Sequence, residues 1–132
     1  MQILLMFHSI LRWLVVIVAV AAVIKFALGW LRGGKFSGMD RGLASGFSGL
    51  IDLQATLGII YLVWDGIANS GFPMFRIEHA TTMILAAVLA HLPAMWKKAE
   101  DRVRFRNLLF VVIGTLVLVY VGVARLPGGW TR

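Results

Sequence analysis

The side chains best suited to chemistry lie near the ends of long apolar segments. His8 and Arg12 are four residues apart, so a helix would place both on one face. Arg76 and His79 are three apart, and Arg125 follows the last apolar segment. Imidazoles from two helices can ligate a heme iron on both faces, while arginines pair with its propionates. This pattern predicts a heme b site with ligands His8 and His79 and propionate partners Arg12, Arg76 and Arg125.

The same region also supports an interpretation without a cofactor. Asp65 ends the second apolar segment and Glu78 opens the third, so either carboxylate is in a position to pair with Arg12 or Arg125. The histidines would then cap helix ends or reach lipid headgroups. The sequence leaves both interpretations open.

A second polar group is predicted further along the same segments. Asp52 lies in the second apolar segment and His91 in the third. Ionisable side chains at membrane depth are costly unless they are paired or reach water. We therefore expect a buried Asp52–His91 pair, in which each group lowers the desolvation cost of the other. If the pair has a function, we expect it to relay protons or to form a hydrogen bond with a quinone.

Four apolar segments would position all of these residues. They cover about residues 3–30, 43–65, 77–96 and 107–124, and each approaches the ~20 residues that a helix needs to cross a bilayer. The chain is 60% hydrophobic and 14% charged, against about 45–50% and about 25% in soluble domains. The sequence predicts an all-α integral membrane four-helix bundle that forms one domain over residues 1–132.

Lysine and arginine are distributed unevenly over the connectors between these segments. Together with Lys25 near the end of the first segment, the first and third connectors carry nine of them, whereas the second connector and the C-terminal tail carry three. Basic residues accumulate on the cytoplasmic side, so we expect up-down-up-down helices with both termini outside a bacterial cytoplasmic membrane. This placement explains the net charge of +7 without a nucleic-acid partner.

Small residues and one proline predict how the helices pack and end. Helices in lipid associate through small side chains, so we expect close packing at the glycines and alanines of the segments: Gly42, Gly46, Gly49, Gly58, Ala19, Ala22, Ala86, Ala87, Ala90, Gly114 and Gly122. Pro93 predicts a kink or early fraying near the end of the third segment.

Short motifs give the chain a resemblance to a known group of proteins. The stretch from His8 to Leu14, the run Ile77-Glu78-His79, Asp40-Arg41, and Gln54 to Gly58 carry it. They resemble small, largely uncharacterised bacterial four-helix membrane proteins often labelled cytochrome b-like. The resemblance implies heme binding, with His8 and His79 at the matching positions. The second span of that group often has a histidine where this chain has Asp52.

The predicted function is electron transfer by a heme-carrying subunit of a respiratory or photosynthetic membrane complex. The alternative is a cofactor-free accessory subunit that packs against larger membrane proteins and lipid. Independent catalysis is not expected, because the sequence has no phosphate loop, zinc motif or activated nucleophile. The expected partners are the lipid bilayer and other subunits or a second copy of the chain, with a quinone as a further candidate.

Overall fold

The computed structural model describes residues 2–129, apart from the side chain of Ser70. Its four long helices are α1 (Gln2–Arg32), α2 (Gly38–Asp65), α3 (Met74–Ala90) and α4 (Asp101–Ala124). A π-helical turn, Gly66–Ser70, extends α2, and a short 3-10 helix, Leu92–Trp96, follows α3. No strand occurs within residues 2–129, so the predicted all-α class is confirmed.

Capping hydrogen bonds and a proline, rather than the limits of the apolar segments, determine where α2 begins and α3 ends. Helix α2 begins at Gly38 because the backbone N and the Oγ of Ser37 both donate to Asp40 Oδ2 at 2.9 Å, which closes the first turn. Helix α3 ends at Ala90, three residues before Pro93, since a proline ring cannot continue an α-helix. The predicted fraying near Pro93 is confirmed.

Small residues form the contacts at the centre of the bundle. Helix α1 packs against α2 and α4, and α3 packs against the same two helices. Ala19, Ala22, Ala86 and Ala90 are almost completely buried, which confirms the prediction of close packing at these alanines.

One end of the core is filled by aromatic rings. The ring centroids of Phe36 and Phe105 are 5.2 Å apart, and Phe26 stacks on Phe36 at 6.5 Å. Gly29 makes room for this cluster, because a Cβ at that position would lie 2.5 Å from Phe105 Cε1. The close approach of α1 and α4 therefore depends on a glycine at residue 29.

An ion pair joins α1 to α2 beside these rings. Lys25 Nζ donates to Asp40 Oδ1 at 2.9 Å, and the Asp40 side chain is fully buried. Since Asp40 also accepts both bonds from Ser37, one carboxylate fixes the start of α2 against the end of α1.

The predicted packing of the first glycines of α2 is wrong. A Cβ added at Gly42, Gly46 or Gly49 would meet nothing within 4 Å. Helix α2 turns Phe47 and Ile51 into the core instead, because their large apolar side chains gain more from burial than glycine does. The three glycines consequently lie on the outward face of α2.

The outer surface of the bundle is apolar. Four helical stretches are long and apolar enough, by length and composition, to cross a membrane: Gln2–Arg32, Gly38–Asn69, Met74–Trp96 and Asp101–Ala124. The second includes most of the π-helical turn after α2, and the third includes the 3-10 helix after α3. Large hydrophobic side chains lie on their outward faces, among them Ile17, Leu85 and Val117. These properties are compatible with a multi-pass membrane protein.

Candidate functional site

The two histidines predicted as ligands face each other across the bundle. His8 comes from α1 and His79 from α3, and their ring centroids are 6.3 Å apart with planes at 81°. Because α1 and α3 both pack mainly against α2 and α4, the two imidazoles meet across the diagonal. The structure thus brings together side chains that are 71 positions apart in the sequence.

Helix α2 holds His8 through a glycine and a glutamine one turn apart. Gln54 Nε2 donates to the backbone oxygen of His8 at 2.7 Å. A Cβ at Gly58 would lie 3.1 Å from His8 Cε1, which is tighter than ordinary van der Waals contact. The imidazole therefore lies directly against the α2 backbone at Gly58.

Helix α4 holds His79 in a similar way. His79 Nδ1 lies 2.9 Å from the backbone oxygen of Gly122, which belongs to the last turn of α4, where carbonyl groups lack helical donors. Since a carbonyl only accepts, this contact assigns a proton to Nδ1. Gly122 also has no Cβ, and the Met83 methyl group occupies the space that a Cβ would need.

Both histidines line a cavity of about 120 Å³. Its polar lining comes from His8, Arg12, Gln54, Arg76 and His79, and the rest of the lining is mostly apolar. The Arg12 side chain is largely buried, and the Oε1 atom of Gln54 is buried without a hydrogen-bond donor among the described residues. The cavity thus combines two imidazoles and two guanidinium groups inside an apolar bundle.

The three predicted arginines occupy different surroundings. Arg76 forms an ion pair with Asp65 and lies over the Tyr61 ring, with its guanidinium carbon 5.3 Å from the ring centroid. Arg125 Nη1 donates to Glu78 Oε2 at 3.2 Å, and both side chains are exposed. Arg12 and Arg76 line the cavity, whereas Arg125 is absent from its lining. Two of the three predicted arginines are therefore in a position to meet a ligand between the histidines.

No known protein family matches this chain. Curated proteins and solved structures likewise give no match. The resemblance to cytochrome b-like proteins stays a prediction.

Multidentate metal sites are absent from the described part of the chain. Within residues 2–129, no three side chains of the types histidine, cysteine, aspartate or glutamate lie close enough together to hold a metal ion. A pair of imidazoles such as His8 and His79 suits a metal cofactor that supplies the remaining ligands itself.

The predicted Asp52–His91 pair forms, but it is not buried. His91 Nε2 lies 2.7 Å from Asp52 Oδ2 and 2.8 Å from Oδ1. The side chains are 46% exposed for Asp52 and 56% exposed for His91, so the expectation of a buried pair is wrong. Asp52 lies toward the outward side of α2 and His91 lies at the end of α3, where no third helix covers them.

Two contributors to the site escaped the sequence reasoning. The oxygen of Gly122 that contacts His79 is a backbone atom. Every residue has a backbone oxygen, so the residue type does not indicate this contact. Gln54 enters the sequence analysis only within the motif Gln54 to Gly58, and not as part of the histidine site. Its spacing of four residues from Gly58 places both on one face of α2, and this pattern would have connected Gln54 to the histidine site.

Proposed function

We propose that the chain is a multi-pass membrane protein with an up-down-up-down arrangement and both termini outside. The support comes from four helices of sufficient length and apolarity, from their apolar outward faces, and from the concentration of basic residues in the first and third connectors. A bacterial cytoplasmic membrane is the proposed location. Labelling of single cysteines placed in each connector of intact cells tests this arrangement, because only residues outside react with an impermeant reagent.

We further propose that the cavity between α1 and α3 binds a b-type heme with His8 and His79 as axial ligands. The observation that carries this proposal is the 6.3 Å separation of the two imidazole centroids. A metal–imidazole bond is about 2 Å long, and the nitrogen lies about 1 Å from its ring centre, so one metal between two rings separates their centroids by about 6 Å. The pair has the spacing that a shared iron requires.

The surroundings of the two imidazoles fit this role. Ligating histidines usually donate their second nitrogen to a carbonyl or carboxylate, which fixes the ring and raises its basicity, and the Gly122 oxygen lies where it would do so for His79. Gly58 lets the α2 backbone approach His8 closely. Arg12 and Arg76 place positive charge at the cavity, where anionic propionates would bind.

The cavity has to widen to admit a macrocycle. Its volume of about 120 Å³ is below the roughly 300–1,000 Å³ of common ligand pockets. We infer that heme binding pushes apart the flexible side chains around the histidines, such as Met83.

Bound heme would supply one-electron redox chemistry. Ligation by both imidazoles would leave no open coordination position, which would favour electron transfer over reactions that need one. The described residues form a helical bundle with short connectors and no sizeable aqueous domain, so a redox partner has to approach the bundle itself. We therefore propose an electron-transfer subunit of a respiratory or photosynthetic membrane complex.

The pyridine hemochrome spectrum of the protein purified from heme-replete cells tests heme binding. His8→Ala and His79→Ala should each remove the α band of heme b. His91→Ala provides a matched control, since His91 is the only other histidine of the chain and lies outside the cavity lining. A colourless wild-type protein, or an α band that persists in both ligand variants, would contradict the proposal.

Two ion pairs formed by the predicted arginines favour one alternative function. Arg76 pairs with Asp65 and Arg125 with Glu78, so these arginines have partners without any cofactor. A colourless protein that co-purifies with larger membrane proteins in mild detergent would support the cofactor-free accessory subunit.

A further inference from the structure

An open groove lies on the outer surface of the bundle, where α1 packs against α4. It encloses about 430 Å³, and its walls include Val20 and Ile24 of α1 and Ile113, Val117 and Tyr120 of α4. The lining side chains are branched aliphatic groups, apart from the Tyr120 ring. In the proposed membrane placement, this groove opens toward the hydrocarbon of the bilayer.

The lining of the groove favours a lipid chain over another helix as its occupant. Helices in lipid associate where small residues let their backbones approach, whereas the groove residues are branched or aromatic. Ile24, Val117 and Tyr120 are each more than half exposed, so their side chains hold a second helix at a distance. A flexible acyl chain instead follows the groove and keeps apolar contact along its length.

Two aromatic rings mark the end of the groove on the side proposed as cytoplasmic. The ring centroids of Trp30 and Phe110 are 5.9 Å apart with planes at 73°, so an edge-to-face contact joins α1 to α4 there. Phe110 lies about one turn before Ile113 in α4, and tryptophan is enriched at the level of lipid headgroups. The groove therefore leads from the membrane interior toward the headgroup level.

Two arginines lie on the side of α4 that forms the groove. Arg102 precedes Ile113 by eleven residues, which is about three helical turns, and Arg106 follows Arg102 by four. Both arginines are exposed, and no ion pair within residues 2–129 involves either of them. Arg106 contacts the neutral amide oxygen of Asn107 at 3.3 Å. Like charges four residues apart repel each other, so this end of the groove suits an anion.

We propose that the groove binds one molecule of an anionic phospholipid, with an acyl chain between α1 and α4 and the headgroup phosphate at Arg102 and Arg106. Guanidinium groups form charge-assisted hydrogen bonds with phosphate oxygens, and the groove provides apolar contact for the chain. A zwitterionic lipid has the same chains without the net negative charge, and a free phosphate ester lacks the chains. The inference rests on the proposed membrane placement and not on heme.

Native mass spectrometry of the detergent-purified protein tests the headgroup contact. Phosphatidylglycerol should be retained more strongly than phosphatidylcholine with the same chains. Arg102→Gln and Arg106→Gln should each raise the dissociation constant for phosphatidylglycerol by about fivefold, the usual contribution of one basic residue near an anionic headgroup. Arg41→Gln is the matched control and should have little effect, because Arg41 is an exposed arginine of α2, outside the groove.

A second pair of variants tests the chain contact. Val117→Trp places an indole ring in the groove and should raise the same dissociation constant by about tenfold or more. Leu85→Trp, at a position of α3 with the same 55% exposure, should leave it nearly unchanged. Circular dichroism verifies that both variants keep their helices. Glycerol phosphate at the same concentration as the lipid should not displace it, because glycerol phosphate has no chain to fill the groove.

Four results would overturn the proposal. These are equal retention of the two lipids, equal weakening by Arg41→Gln, no effect of Val117→Trp, or displacement of the lipid by glycerol phosphate. The last two would mean that the arginines take up any phosphate group without help from the groove. Membrane fractionation and the hemochrome spectrum of the same preparations distinguish these failures from a failure of membrane placement or of heme binding.

Discussion

His79 Nδ1 lies 2.9 Å from the backbone oxygen of Gly122, so the last turn of α4 orients the imidazole of α3. The same residue makes room for the Met83 methyl group, which occupies the position of a Cβ at residue 122. Gly122→Ala should therefore displace the flexible Met83 side chain and bring the new Cβ within 3.3 Å of Thr82 Cγ2, which should destabilise the protein by about 1 kcal/mol, the low end of the usual cost of overpacking. Thermal unfolding in detergent measures the loss, and the heme α band should weaken with it.

Two further variants isolate the cause of that effect. Met83→Ala removes the clashing methyl group, so the double variant should recover much of the stability lost in Gly122→Ala. Gly114→Ala is the control, because its Cβ would meet only the flexible end of Leu89, at 3.0 Å. Equal losses for Gly114→Ala and Gly122→Ala would argue against a specific contact at residue 122.

A second prediction concerns the glycine beside His8. A Cβ at Gly58 would lie 3.1 Å from His8 Cε1, so Gly58→Ala should tilt the imidazole and weaken heme retention. Gly46→Ala is the matched control in the same helix, because its Cβ would enter open space. Gly46→Ala should leave the stability of the protein unchanged or raise it by up to about 1 kcal/mol, because alanine has a higher helix propensity than glycine.

The readouts for these two alanine variants are the heme-to-protein ratio and the melting temperature. We expect a lower ratio for Gly58→Ala and an unchanged ratio for Gly46→Ala. Retention of full heme by Gly58→Ala would show that the close approach of α2 to His8 has no part in binding.

The sequence predicted helices better than it predicted their rotation. Apolar length identified the four helices, and Pro93 marked the early end of α3. The glycines of α2 were expected to pack inside because small residues favour helix contacts. Phe47 and Ile51 took the inward positions, since residue type alone does not tell which of two competing faces the tertiary packing buries.

For the candidate site, too, the sequence predicted which residues pair but not how the helices are rotated. The pairing of Asp52 with His91 follows from two ionisable groups that both need a partner, and the structure contains it. The exposure of this pair depends on the rotation of α2 and of the end of α3 about their axes. Residue spacing in the sequence does not predict that rotation. The proximity of His8 and His79 followed from depth and helix direction, whereas the contact with the Gly122 oxygen involves a backbone atom.

A third prediction concerns the carboxylate that joins α1 to α2. Asp40 is fully buried and accepts from Lys25 Nζ and from the backbone N and Oγ of Ser37. Asp40→Ala leaves these donors without an acceptor and removes the closing bond of the first turn of α2. The partial exposure of Lys25 moderates the loss, so we expect about 2–3 kcal/mol.

Urea or thermal unfolding in detergent measures the stability of this variant. Asp101→Ala is the control, since Asp101 also lies in the first turn of a helix but is exposed. Its expected cost is about 0.3–1 kcal/mol, from the helix dipole alone. Similar losses in both variants would mean that the buried bonds of Asp40 add little beyond a helix-end charge.

The last prediction uses the different surroundings of Arg12 and Arg125 to test the heme site by its potential. Arg12 is largely buried and lines the cavity with both histidines, so its positive charge would disfavour the more positive, oxidised heme. Arg12→Gln should lower the midpoint potential by about 40 mV, which corresponds to about 1 kcal/mol for a charge near a partly buried group. Arg125 is exposed and paired with Glu78, so Arg125→Gln should shift the potential much less because water screens its charge. Potentiometric titration of the heme α band measures both shifts, and equal or opposite shifts would place the heme elsewhere than between His8 and His79.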